Sequence, residues 1–197
     1  MTTKRLLTGI ILALLIGILL LWLSPDDKSL GSLLKLVYLH GALINTGLIL
    51  FTAAGIVSLL SFFRNSSGFS LLFAIEKTAI FFWVAATIIG DATSQLAWGG
   101  LFWGEPRFNV TIIISLMAVS IYFISTAIGN PKVISLLGTG LAVAVWVLIL
   151  NARRVMHPDN PFGASEPSIK FFFAAITLVF LIAAILIVRL IDKKEMR

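Results

Sequence analysis

Long apolar runs separated by short polar stretches dominate this chain. Six of the runs are each long enough to cross about 30 Å of hydrocarbon at about 1.5 Å per helical residue. They extend over Leu6 to Leu23, Leu36 to Phe63, Phe69 to Gly90, Val110 to Ile128, Val133 to Leu150 and Ile169 to Ile191. No segment alternates with the two-residue period of barrel strands. The pattern therefore predicts an all-α, polytopic membrane protein, a bundle of six transmembrane helices.

The six predicted helices and their short connections fill residues 1–197, which predicts a single transmembrane domain. The composition agrees, because 59% of the residues are hydrophobic and only 12% are charged, far from the balance of a soluble domain. The first run follows Lys4 and Arg5 and ends in Ser-Pro-Asp-Asp, without a small-x-small cleavage pattern. We therefore interpret it as a retained helix and not as a signal peptide.

The distribution of basic residues predicts the orientation. With the N-terminus inside, the inner segments carry eight basic residues and the outer segments carry six. Because cytoplasmic loops are enriched in Lys and Arg, this favours both termini in the cytoplasm of a multi-pass protein in the plasma (inner) membrane. The net charge of +6 does not predict a nucleic-acid partner, since the basic residues lie at membrane flanks.

The chain contains only two histidines, His40 and His157, and the predicted topology puts both at the outer face. Neutral imidazole is the usual axial ligand of haem iron, and two imidazoles complete six-coordination. Gly41 and Gly47 beside His40 are small, and we expect them to leave room for a large planar ligand. Taken singly, each histidine has another interpretation. His40 could form a hydrogen bond to a neighbouring helix, and His157 could be a solvated loop residue.

A loop rich in tryptophan and glycine is predicted between the third and fourth helices, at the same outer face. It reads Trp98-Gly-Gly-Leu-Phe-Trp-Gly-Glu-Pro-Arg107. Its glycines allow the backbone to approach a ligand closely, and an arginine can pair with a haem propionate. We expect it to form a haem platform through Trp98, Gly99, Phe102, Trp103, Glu105 and Arg107. The alternative is that the tryptophans belong to an interfacial aromatic belt.

This loop resembles the tryptophan-rich signature of the CcmC and CcsA type of haem-handling proteins in cytochrome c maturation. Tyr38-Leu-His40-Gly matches a histidine of that family near the outer end of the helix two before the signature. Met156-His157-Pro matches a second histidine in the following outer loop, and Glu76 matches a carboxylate before the signature. The chain departs from the family where Gly104-Glu105 replaces Trp-Asp, and where the loop after His157 lacks a tryptophan-rich stretch.

The resemblance implies a protein that presents non-covalent, b-type haem at the outer face for assembly of c-type cytochromes. His40 and His157 would be the axial ligands, and a haem acceptor or an ABC-type transporter would be the partner. The departures favour an alternative, a b-haem electron-transfer or anchor subunit of a respiratory complex. A haem-free structural subunit is the third hypothesis.

The residue types and motifs that are missing from the sequence exclude several kinds of cofactor attachment and catalysis. The chain has no cysteine, which excludes covalent haem attachment through Cys-x-x-Cys-His within it. The sequence also contains no zinc pattern, no nucleotide fingerprint and no nucleophile with an identifiable base, so we do not expect an enzyme on its own. Glu76-Lys77 leaves two interpretations open. In the first, the Lys77 side chain extends to the inner membrane surface and Glu76 forms a hydrogen bond to a neighbouring helix or to water. In the second, the pair marks a haem path or a proton-linked site.

Overall fold

A computed structural model describes residues 2–26, 28, 30–64, 69–101, 103–152 and 166–195. These residues form six α-helices, each long and apolar enough to cross a membrane. The helices are α1 (Thr3–Leu23), α2 (Leu34–Arg64), α3 (Ser70–Trp98), α4 (Pro106–Ile128), α5 (Pro131–Asn151) and α6 (Pro167–Glu195). The prediction of an all-α protein with six transmembrane helices is confirmed.

The helices extend beyond the apolar runs that predicted them, and α3 does so most. It continues eight residues past Gly90 and ends at Trp98, because polar side chains can continue a helix outside the hydrocarbon. On the far side of the connection, α4 begins at Pro106, since proline suits the first helical position. The predicted loop, which begins at Trp98 and includes Pro106 and Arg107, is therefore wrong at both ends, and the connection spans 99–105.

The helices α2 and α3 form a central pair. On one side α5 packs against α2 and α4 packs against α3, and α4 and α5 also pack against each other. On the other side α6 contacts both central helices, and α1 packs mainly against α6. In the most apolar window of α3, 50% of the residues are buried, compared with 17% for α4. The core therefore lies along the contact between α2 and α3.

Trp83 of α3 is the largest side chain at the centre of this core. It is 1% exposed, and its indole N–H donates to the carbonyl oxygen of Thr111 on α4 at 3.1 Å. Its ring meets that of Phe51 on α2 edge-on, with 5.8 Å between centroids. A buried indole needs such a partner for its N–H. Large aliphatic side chains cover the outside of the bundle, as expected for a surface that faces lipid.

The two ends of the bundle differ in what they carry. One end, here named the terminal face, holds the beginning of α1 and the end of α6. The opposite end, named the connecting face, holds the α1–α2, α3–α4 and α5–α6 connections. At the connecting face, the Lys35 ammonium donates to the carbonyl oxygen of Trp22 at 3.0 Å, which joins the end of α1 to the beginning of α2. That the connecting face is the outer one stays a prediction.

Candidate haem site at the connecting face

His40 lies in the second turn of α2 and is half-buried against α3. Its Nδ1 lies 2.8 Å from the carbonyl oxygen of Ala86. Because a carbonyl oxygen can only accept, Nδ1 carries the hydrogen and donates it. When the ring is neutral, its lone pair is then on Nε2, the nitrogen that would ligate a metal. Metal-bound histidines commonly have their other ring nitrogen held by such a hydrogen bond.

Gly90 makes the space that the imidazole occupies. A Cβ at this position would lie 2.7 Å from both Nδ1 and Cε1 of His40, closer than van der Waals contact allows. Ala86 and Gly90 are four residues apart, so they lie on one face of α3. Neither residue was predicted for the site. Their spacing matches the small-xxx-small pattern of close helix contacts, which is the signal that could have identified them.

The two glycines that were expected to leave room for haem have another role. A Cβ on Gly41 would lie 2.6 Å from Cε2 of Phe173 on α6. A Cβ on Gly47 would lie 3.2 Å from Cε3 of Trp83 on α3. Aromatic side chains of neighbouring helices therefore fill the space beside both glycines. The interpretation of Gly41 and Gly47 as room for a planar ligand is wrong.

Gly99 ends α3 and is required there by backbone geometry. Its φ is 76°, in the left-handed region, and its N–H donates to the carbonyl oxygen of Gln95 at 3.0 Å. A glycine at this position is the common way to end a helix. The Ser94 hydroxyl then donates to the carbonyl oxygen of Gly100 at 2.8 Å, which holds the following turn against α3. Helix termination thus explains Gly99 with or without a ligand.

The two tryptophans of the signature lie at the surface of the connecting face. Trp98, the last residue of α3, is 42% exposed, and Trp103 is 66% exposed. The Trp103 ring packs edge-on against Phe108, with 5.1 Å between centroids, and the Asn109 amide donates to the Trp103 carbonyl oxygen at 2.9 Å. Both indoles therefore have surface available for a ligand or for lipid headgroups, so the platform and belt interpretations both stay open.

The charged residues of the signature lie where α4 begins. Glu105 occupies the N-cap position and is only 4% exposed, yet its side chain makes no capping hydrogen bond within the described first turn. A carboxylate at this position is stabilised by the positive end of the helix dipole. Arg107 follows in the first turn and is half-buried. The structure thus brings one acidic and one basic side chain to the edge of the connection that carries the tryptophans.

Six of the eight predicted haem-site residues lie within the described chain, and all six are at the connecting face. His157 and Phe102 lie outside the described residues. Along α3, Gly90 precedes Trp98 by eight residues, or about 12 Å of helix. The imidazole of His40 is therefore deeper in the bundle than the tryptophans.

The setting of His40 is compatible with what porphyrin-bound iron requires from a protein. In the described part of the chain, no three His, Cys, Asp or Glu side chains come together as a metal site. Haem iron needs only axial ligands from the protein, and an imidazole with its lone pair on Nε2 is one of them. His40 therefore fits haem.

A separate groove of about 600 Å³ opens between α2, α5 and α6. Its lining is mostly apolar, with Asn45, Thr52 and Thr177 as polar members. The Trp146 indole N–H donates to the Thr52 hydroxyl at 2.9 Å within it. None of the described haem-site residues lines this groove, so it is distinct from the candidate site around His40.

Comparison of the chain with protein-family models and with curated proteins gives no match. The resemblance to the CcmC and CcsA type therefore rests on the residues quoted above and stays a prediction.

Proposed function

We propose that this protein binds haem non-covalently at its connecting face and presents it at the outer side of the plasma (inner) membrane for assembly of c-type cytochromes. The observation that carries the proposal is the setting of His40. The Nδ1–H bond to Ala86 fixes the ring tautomer, and Gly90 provides the space for the ring. This is the setting expected of an axial ligand that must keep one orientation.

The two proposed ligands differ in how the fold supports them. His40 is held between the two central helices, whereas His157 belongs to the α5–α6 connection. When haem is bound, its iron supplies the coordination positions that the two imidazoles fill. Loss of the His157 bond would leave haem held by His40 alone, which is a simple route to release. A haem acceptor or an ABC-type transporter is the partner that such a hand-off requires.

The remaining residues of the signature bind the periphery of the ligand. The exposed indoles of Trp98 and Trp103 offer flat apolar surfaces for the macrocycle. Arg107, at the beginning of α4, offers a planar fork that pairs with a propionate. The backbone of Gly99 and the buried Glu105 shape the connection that carries these side chains. Phe102 belongs to the same connection.

An optical titration of the purified protein tests this function. We expect a low-spin, six-coordinate spectrum after haemin is added, with haem that organic solvent extracts because it is not covalently attached. A colourless protein that stays colourless with haemin would refute haem binding. An apo-cytochrome acceptor then provides the second readout. Transfer of haem to the acceptor supports the assembly role, whereas haem that stays bound and cycles with a quinol indicates the respiratory electron-transfer subunit.

A further inference from the structure

Glu76 of α3 is buried near the terminal face, far from the haem site. Its side chain is 1% exposed, and its Oε2 has no hydrogen-bond partner among the residues that the structure describes. Glu76 and Gly90 are fourteen residues apart, or about 21 Å along α3. The candidate haem site therefore does not account for this carboxyl group.

The adjacent lysine does not neutralise Glu76. Lys77 projects from another side of α3, where its ammonium pairs with the carboxylate of Glu195 on α6 and lies 5.7 Å from the ring centroid of Tyr122. The ion pairs found among the described residues do not include Glu76. The other charged side chains of the helices packed around this region lie toward their ends: Arg64 on α2, Lys132 on α5, and Arg189, Asp192, Lys193 and Lys194 on α6.

Two buried hydroxyl groups accompany Glu76. Ser58 on α2 and Ser135 on α5 are both 0% exposed, and in the described chain neither hydroxyl has a hydrogen-bond partner. Ser125 on α4 is likewise buried without a hydrogen-bond partner among the described residues, whereas two buried threonines behave differently. Thr46 and Thr78 each donate to the carbonyl oxygen four residues back, at 2.8 and 2.7 Å. Ser58 and Ser135 thus lack the hydrogen bond that a helical hydroxyl commonly donates to the carbonyl oxygen four residues back.

Gly138 of α5 brings these groups together. A Cβ on Gly138 would collide with the Ser58 hydroxyl and would lie 3.2 Å from Oε1 of Glu76. The hydroxyl and the carboxyl oxygen therefore border the same small space. Ser135 is three residues before Gly138, so it lies on the same face of α5. Ser58 on α2 and Glu76 on α3 thus meet at one small buried space beside Gly138, with Ser135 about one turn away on α5. These residues are named here the Glu76 cluster (Ser58, Glu76, Ser135 and Gly138).

An ionised carboxylate cannot stay in such a place at low cost. Removing it from water without a cation or a set of donors is strongly unfavourable, and a buried carboxyl group neutralises by taking up a proton instead. A neutral carboxylic acid is a donor as well as an acceptor, and serine hydroxyls can complete both bonds. The cluster therefore suits a protonated carboxyl group and lacks the positive charge that an ionised one needs.

We propose that the Glu76 cluster is a proton-binding site, in which Glu76 carries one exchangeable proton while the bundle is closed. On release the O–H bond breaks, the proton passes to water at the terminal face, and the carboxylate keeps the electron pair. The negative charge left between α2, α3 and α5 then favours entry of water and separation of α5 from the central pair. The site can thereby couple proton release to a movement of α5. This inference does not depend on haem binding.

Carbodiimide labelling of the full-length protein in liposomes tests the proposal. Dicyclohexylcarbodiimide is apolar and modifies protonated carboxyl groups, and peptide mass spectrometry locates the adduct. We expect labelling of Glu76 at neutral pH, falling about tenfold per pH unit once the pH exceeds its midpoint. Glu195, which is paired with Lys77, is the internal control and should stay largely unlabelled. Lys77→Gln should leave the labelling of Glu76 unchanged.

Infrared spectroscopy gives a second readout that does not depend on access by the reagent. Wild-type protein should show a carboxylic-acid carbonyl band at neutral pH, and the neutral isostere Glu76→Gln should remove it without loss of folded protein. Ser58→Ala should shift the band, because it removes a polar group from the small space that the acid borders. Absence of an acid band that Glu76→Gln removes would overturn the proposal. Suppression of labelling by Na⁺ at constant pH would also overturn it, since the site would then bind a metal cation.

Discussion

Replacing Gly90 by alanine tests the haem site without touching a ligand. The new Cβ would lie 2.7 Å from Nδ1 and Cε1 of His40, so the imidazole must move and its bond to the Ala86 carbonyl oxygen must lengthen or break. Loss of a hydrogen bond that orients a metal-bound histidine typically lowers metal affinity about 10- to 100-fold. We therefore expect Gly90→Ala to weaken haem binding by about 1.4 to 2.7 kcal/mol.

The same substitution should change the stability of the haem-free protein very little. Alanine is favoured over glycine inside a helix by up to about 1 kcal/mol. Displacement of the His40 ring and loss of its hydrogen bond cost about the same amount. The two effects offset each other, so a fall in haem affinity would reflect the ligand and not the fold.

Haemin titration of the detergent-purified variants, followed by absorbance, measures the effect. Gly140→Ala is a matched control, since Gly140 is also helical but a Cβ there meets nothing within 4 Å. Gly140→Ala should bind haem as the wild type does. Wild-type affinity in folded Gly90→Ala, or an equal loss in Gly140→Ala, would refute the assignment of His40 as an oriented ligand.

Three further predictions concern the ligands, the connection and the packing. In absorbance spectra, His157→Ala should retain weakly held, high-spin haem, whereas His40→Ala should lose more of it; equal haem content and low-spin spectra in both would contradict the ligand roles. Trp98→Ala and Arg107→Ala should each lower the ratio of haem to folded protein. If Trp98 belongs to an interfacial belt and Arg107 is an ordinary surface charge, both variants should keep the wild-type ratio, and Arg107 should contribute at most about 1 kcal/mol to stability. Gly55→Val should lower the thermal unfolding midpoint through about 1 to 3 kcal/mol of overpacking against α5, and an unchanged midpoint would contradict the close contact there.

The sequence predicted the helices well because the hydrocarbon requires long apolar runs and satisfied backbone groups, and both leave a plain pattern. Helix ends were less predictable, because they depend on capping and not on hydropathy. The end of α3 shows this: the apolar run stops before Asp91, but the helix continues to Trp98, and the backbone turns into the left-handed region at Gly99.

The position of His40 was predictable and its surroundings were not. Its depth follows from its place in the second apolar run, but its partners depend on which face of α2 meets α3. Proximity in sequence pointed to Gly41, which faces Phe173, whereas the residue that makes room for the ring is Gly90, fifty positions after His40. The Glu76 cluster was unpredictable for the same reason, since it needs Gly138 of a third helix.

The packing between His40 and Glu76 distinguishes between two proposed roles of Glu76. One interpretation of the sequence made Glu76 a step on a haem path from the terminal face. Between it and His40, however, Trp83 fills the centre of the bundle, packed against Phe51 and closed over Gly47. A porphyrin is large and rigid, and passing this layer would require the central pair of helices to separate and lose its tightest contacts. A proton needs no such opening, because it moves between neighbouring oxygen atoms and water. The closed layer at Trp83 therefore favours a proton-binding role for Glu76 over a haem path. In the proposed function, it leaves the connecting face as the side from which haem would reach His40.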